Sequence, residues 1–166
     1  RVLDAYKPFI GEKTSFIGHS LGPAFIVDYL IDEKIKINNL YLAAPFYGFI
    51  GIENFDNVNQ SFFKHSDISK AGEFFNKAIC LYSDNDPYVP IEMSKEISKL
   101  LHAKQVIVPE KGHLNSSAGM NEFKELKKEI EKSILGYSTQ INYKNYLIVK
   151  AGIWIKMIVL GIMKIG

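Results

Sequence analysis

The sequence predicts an α/β fold, a three-layer sandwich with helices on both faces of a mainly parallel, buried sheet. Three observations carry this reading. Short β-forming runs alternate with helical runs along the chain. The strand runs are almost continuously apolar, as strands covered on both faces are. Each conspicuous polar residue follows a strand directly, at the edge of such a sheet where ligands bind.

The elements follow in order. Residues 4–10 read as the end of a helix, and Gly11-Glu12-Lys13 as a turn. Residues 14–17, Thr-Ser-Phe-Ile, form a short strand. A glycine-bounded turn over 18–22 leads into an apolar helix over 24–31, with Pro23 in a first turn that tolerates it. Asn38-Asn39 is expected to break the chain before a second strand at 40–43. Residues 45–77 show no clear period and hold Pro45, three glycines and eight phenylalanines and tyrosines. An aperiodic stretch of this length serves as a lid or substrate wall, or is a packed insertion with a short helix near 68–76. The third strand is 78–83, followed by a loop over 84–90 and a helix over 91–101. The fourth strand is 105–108. After the loop 109–119 comes a helix over 121–135, with Phe123, Leu126, Ile130 and Ile134 at spacings of three and four.

Composition narrows the class. A chain of 166 residues is long enough for one domain with a sizeable core. Apolar residues at 47% and charged residues at 23% exclude wholesale disorder. The lone cysteine, Cys80, excludes an intrachain disulfide and fits a reducing, cytoplasmic location; no signal peptide is visible. Cys80 lies in the run Ala-Ile-Cys-Leu-Tyr and reads as a small buried hydrophobe. Residues 1–136 carry a formal charge of −2, so no basic patch points to nucleic acid. No His, Cys or carboxylate cluster has metal-ligand spacing, so no metal or organic cofactor is expected.

The chemistry concentrates at three places. Gly18-His19-Ser20-Leu21-Gly22 lies at a strand-to-helix turn. Such a turn is tight, so small neighbours are needed to lift the serine clear, and the Leu21 N–H is then expected to face a developing oxyanion. The following helix adds its positive N-terminal dipole. A serine hydroxyl needs a base. Of the four histidines, His19 is expected to point away from the reacting face, His65 lies in the aperiodic insertion, and His102 ends a helix. His113, after Gly112 in the loop beyond the fourth strand, is the expected base. Its acid comes from Asp84 or Asp86, both just after the third strand. Asp86 is preferred because Pro87 holds it extended, leaving Asp84 to cap backbone N–H groups. The order Ser, Asp, His is that of α/β-hydrolases.

Gly-His-Ser-Leu-Gly, Ser-Asp-Asn-Asp-Pro-Tyr-Val-Pro and Lys-Gly-His-Leu-Asn together resemble the small single-domain α/β-hydrolases related to retinoblastoma-binding protein 9 and the bacterial YdeN-type serine hydrolases. The resemblance covers residues 1–136. It implies an α/β-hydrolase-like sandwich and a triad of Ser20, Asp86 and His113. It also implies hydrolysis of small acyl esters, with a small-molecule acyl substrate as partner. Family members begin with a strand and a His-Gly loop that carries the second oxyanion donor. This chain starts beyond them, so one or more first strands are expected to be missing. A catalytically impaired fragment or a non-enzymatic binding protein is the competing expectation.

Residues 137–166 form a separate tail that holds four lysines and no acidic residue. Wound as a helix, Lys150, Lys156 and Lys164 share an arc of about 120° opposite a broad apolar face. Three readings apply: a basic amphipathic helix in weak contact with an anionic membrane surface, an added helix packed on the sheet, or a tail from a shifted reading frame.

Overall fold

The computed structural model describes residues 2–135, 146–150 and 159–161. A short 3₁₀ helix, Val2–Phe9, opens the chain. Strand β1 (Ser15–His19), helix α1 (Gly22–Glu33) and strand β2 (Ile37–Ala43) follow. The insertion contains helix α2 (Glu53–Asn59) and 3₁₀ turns at Gln60–Phe62 and Ile68–Phe74. Then come β3 (Phe75–Tyr82), α3 (Ile91–Leu100), β4 (Lys104–Ile107), a 3₁₀ turn at Ser116–Ala118 and α4 (Lys124–Leu135). Strands β5 (Tyr146–Lys150) and β6 (Val159–Gly161) come last.

The sheet order is β4-β3-β2-β1-β5-β6. Every pairing from β4 to β5 is parallel, and only β6 runs antiparallel. The apolar runs divide between two faces with the two-residue period of a strand. Phe16, Leu40, Leu42, Ala78, Cys80 and Tyr82 pack with Ile26, Val27 and Leu30 of α1 and Ile97 of α3. Ile17, Tyr41, Ala43, Ile79 and Leu81 face the other way, against Ile130 and Leu126 of α4 and Phe123 just before it. The three predicted layers are therefore present, with α1 and α3 on one face and α4 on the other. The Tyr41 hydroxyl donates to Ser133 Oγ at 2.9 Å, tying α4 to the sheet centre.

Several boundaries differ from the expected ones. Asn38-Asn39 does not break the chain but lies inside β2, where Asn39 pairs with Lys77 of β3 and is buried. Ladder bonding to two neighbours outweighs the low strand preference of asparagine. The short helix expected at 68–76 is a 3₁₀ turn, because its last residues enter β3, and α2 carries no apolar period that would announce it.

The tail also departs from expectation. Residues 146–150 and 159–161 are strands, not part of an amphipathic or packed helix. β5 pairs along all of β1, from Ser15 opposite Tyr146 to His19 opposite Lys150. An unpaired β1 edge would leave a row of N–H and C=O groups open, and the Leu-Ile-Val run of β5 has the β-forming composition to satisfy it. The rest of 137–166 lies outside the described residues. Among the described residues no helix is long and apolar enough to cross a membrane.

Ile130 anchors α4 in the second face. Ile130→Ala is expected to cost about 2–4 kcal/mol through lost burial and the cavity left behind; urea unfolding measures it, and a loss near zero would mean that α4 does not cover this face.

Candidate active site

The site is built at the carboxyl ends of β1, β3 and β4. At the end of β1 the chain turns sharply. Ser20 adopts a left-handed backbone, φ +61°, and its N–H donates to Ala43 O at 2.9 Å. A non-glycine residue there is strained and persists because its surroundings hold it. Helix α1 starts two residues later and folds back over Gly18. A Cβ on Gly18 would lie 2.8 Å from Ile26 Cδ1, 2.9 Å from Pro23 N and 3.0 Å from the Gly22 carbonyl carbon. That close approach is why glycine stands at 18. Leu21 occupies the N-cap position of α1, and Pro23 lies in its first turn. The first N–H groups of a helix have no partner in its own ladder and point outward with the positive end of its dipole. The Leu21 N–H belongs to this set.

Asp86 comes from the turn after β3. Its Oδ1 accepts the N–H groups of Tyr88 at 2.9 Å and Val89 at 3.1 Å, leaving Oδ2 aimed at His113. Asp86 Oδ2 and His113 Nδ1 are 2.8 Å apart, with both side chains buried. A carboxylate only accepts here, so Nδ1 carries the proton and Nε2 is the free lone pair. Nε2 lies 2.9 Å from Ser20 Oγ, in position to take its proton. Ser20 itself is only 5% exposed. The three residues singled out in the sequence thus form one continuous hydrogen-bonded line.

Two rings flank the imidazole of His113. Tyr88 meets it edge-on, with centroids 5.2 Å apart, and His19 lies 4.9 Å away on a tilted plane. His19 does more than pack, contrary to expectation: its Nε2 lies 2.7 Å from the carbonyl oxygen of His113. Because a carbonyl can only accept, that nitrogen is the protonated one. The Gly-His-Ser motif contains this residue, but only the fold brings position 19 against position 113.

The other candidates fall outside the line. Asp84 does cap a backbone N–H as expected, that of Glu110 at 2.8 Å. His65 Nε2 pairs with Asp32 Oδ1 at 3.0 Å on the surface, and His102 lies in the turn just beyond α3. Cys80 is buried in the first face, and burial pushes its thiol up to about 12, which removes it as a nucleophile near neutral pH. Among the described residues no group of three or more His, Cys, Asp or Glu is arranged to hold a metal ion.

The insertion supplies an apolar wall. Leu21, Ala24, Phe46 and Val89 are buried together, with Phe55, Phe63 and Met93 packed against them. Leu21 adjoins Ser20, Phe46 follows β2, and Val89 follows Asp86. The wall is pinned at its base. Tyr47 donates its hydroxyl to Asp28 Oδ1 at 2.6 Å, and Asp56 accepts the N–H groups of Ile50 and Gly51. Burial and the Asp28 hydrogen bond raise the pKa of the Tyr47 phenol, so it stays a donor at any physiological pH.

A buried serine, histidine and aspartate in this geometry, at the carboxyl edge of a mainly parallel sheet, define a hydrolase-type α/β fold. The chain belongs to the serine hydrolase family, whose profile it matches over residues 3–132. Its fold is similar to that of the ydeN gene product from B. subtilis, at 20% identity and a TM-score of 0.71, covering 80% of this chain and 72% of that one. A variant of the meta-cleavage product hydrolase CumD is more distant: 11% identity, TM-score 0.51, 82% of this chain and 69% of that one. A second CumD variant, from Pseudomonas fluorescens and complexed with acetates, shows 12% identity and a TM-score of 0.50 over 80% and 68%. No curated protein matches the chain. The expected family is thereby upheld, and the structural likenesses carry the fold.

Gly18→Ala tests the turn. Two of the three atoms its Cβ would meet are backbone and cannot move aside, so a loss of about 1–3 kcal/mol in urea unfolding is expected. A stable variant would show that α1 does not crowd this position.

Proposed function

We propose that the protein is a serine esterase that cleaves small acyl esters through an acyl-enzyme on Ser20. One observation carries this reading: the line from Ser20 Oγ to His113 Nε2, at 2.9 Å, and from His113 Nδ1 to Asp86 Oδ2, at 2.8 Å. In acylation His113 takes the Ser20 proton as Oγ bonds to the ester carbonyl carbon. The oxygen of that carbonyl becomes negative and is met by the Leu21 N–H at the head of α1. The intermediate collapses, the ester C–O bond breaks, and His113 returns the proton to the departing alcohol. Water then attacks the acyl-enzyme, again with His113 as base, and releases the acid and Ser20. Asp86 holds the Nδ1–H tautomer and offsets the imidazolium charge.

The partly exposed aromatic side chains of the insertion, Phe55 and Phe63, would favour apolar acyl groups over charged ones. The chemistry needs no metal and no organic cofactor. A single buried cysteine suits a reducing cytoplasm.

Covalent labelling by a fluorophosphonate probe, with hydrolysis of short p-nitrophenyl esters, tests the reading. Wild type is expected to label and turn over, and Ser20→Ala to do neither. Asp86→Asn is expected to keep the fold and lose about 10⁴-fold in turnover. Folded wild-type protein that neither labels nor hydrolyses esters would sink the esterase reading in favour of a binding protein that keeps the pocket.

A further inference from the structure

Beyond Tyr82 the β3–β4 ladder stops, yet hydrogen bonding between the two segments continues. The last ladder bond runs from Val108 N to Tyr82 O at 2.9 Å. Past it, consecutive side chains of the β3 loop take over as acceptors for consecutive groups of the β4 loop. Asp84 Oδ1 accepts Glu110 N at 2.8 Å, Ser83 Oγ accepts Lys111 N at 3.0 Å, and Asn85 Oδ1 accepts Gly112 N at 2.7 Å. Asp86 Oδ2 then takes the next group in line, His113 Nδ1. The Ser83 hydroxyl, fully buried, also donates to Asn85 Oδ1 at 2.8 Å and so aligns the second acceptor with the first. From the opposite side His19 Nε2 donates to the His113 carbonyl.

The segment held this way is strained. Glu110, Gly112 and Leu114 all have left-handed backbones, with φ of +56°, +48° and +50°. Two of these are not glycine, and such a loop persists only where its surroundings over-determine it. The five contacts named above do this, and every one bears on the backbone or ring that carries His113.

We propose that Ser83, Asp84 and Asn85, with His19 on the far side, are positioning residues that hold the strained 110–114 loop so that His113 lies in line between Ser20 and Asp86. The run Ser-Asp-Asn-Asp is then a four-oxygen template for the backbone N–H groups of Glu110, Lys111 and Gly112 and the ring Nδ1–H of His113, only the last of which belongs to the catalytic line. The functional part of this rests on the esterase reading; the structural part does not.

Two measurements test it. In the first, Ser83→Ala and Asn85→Ala are compared with wild type for esterase kinetics. A misplacement of the base by about 1 Å costs on the order of 10²-fold, so kcat should fall about 10- to 100-fold with KM nearly unchanged. Asn85 is exposed, so its variant folds even where Ser83→Ala does not. Asn85→Asp keeps an acceptor at the same atom, and His19→Gln keeps a donor; both should restore most of the rate that Asn85→Ala and His19→Leu lose. Unchanged kcat in Asn85→Ala, or a loss equally large in Asn85→Asp and Asn85→Ala, overturns the proposal. In the second, proton NMR follows the downfield His113 Nδ1–H resonance without any substrate. It should be sharp in wild type and broadened in Asn85→Ala. The same sharp signal in both overturns the proposal, whether or not the protein proves to be an esterase.

Discussion

Parallel pairing of β1, β2, β3 and β4 is the constraint on which the rest depends. Because the four strands run the same way and are hydrogen-bonded in sequence order, their carboxyl ends finish together along one edge. The final bonds make this concrete: Ser20 N reaches Ala43 O, Ala44 N reaches Leu81 O, and Val108 N reaches Tyr82 O. Each strand is thus stopped against its neighbour. The residues released beyond those bonds are Ser20, the Phe46 wall, the Ser83–Asp86 run and the His113 loop. Chemistry that needs groups 93 residues apart in sequence within 2.9 Å is obtained from strand ends alone.

That edge is also where the backbone is strained. Ser20, Ala44, Glu110 and Leu114 all have positive φ without being glycine. Each costs on the order of 1 kcal/mol or more in isolation. The offset comes from rigid neighbours: the sheet under Ser20 and Ala44, and the oxygens of Ser83, Asp84 and Asn85 above the 110–114 loop. Cores of close-packed side chains transmit this rigidity. Phe16, Leu40 and Leu42 on one face and Tyr41 and Leu81 on the other are fully buried directly below the site.

The insertion between β2 and β3 is packed onto the body of the fold, one of the alternatives its aperiodic length suggested. Phe46 packs against its aromatic neighbours Phe55 and Phe63. Ser94 Oγ donates to Pro45 O at 2.7 Å, so α3 fixes the point where the wall leaves the sheet.

The sequence by itself determined the layer class, the strands β1 to β4 and the trio Ser20, Asp86 and His113. It could do so because these depend on local signals. Continuous apolar runs mark buried strands, glycines flank a crowded turn, and Pro87 and Gly112 mark the loops that hold Asp86 and His113. What only the tertiary structure decided depends on distant partners. Asn38-Asn39 became strand because β3 lies alongside. Tyr146–Lys150 is strand because it pairs along β1, although the lysine spacing of the tail is compatible with a helix. His19 became a latch on the His113 carbonyl, and Ser83, Asp84 and Asn85 became a template, because β4 brings its loop to the end of β3. Hydrogen bonds between segments 27 or 94 residues apart leave no trace in either segment's own pattern. The line of hydrogen-bonding groups could therefore be named from the sequence, but what holds it in line could not.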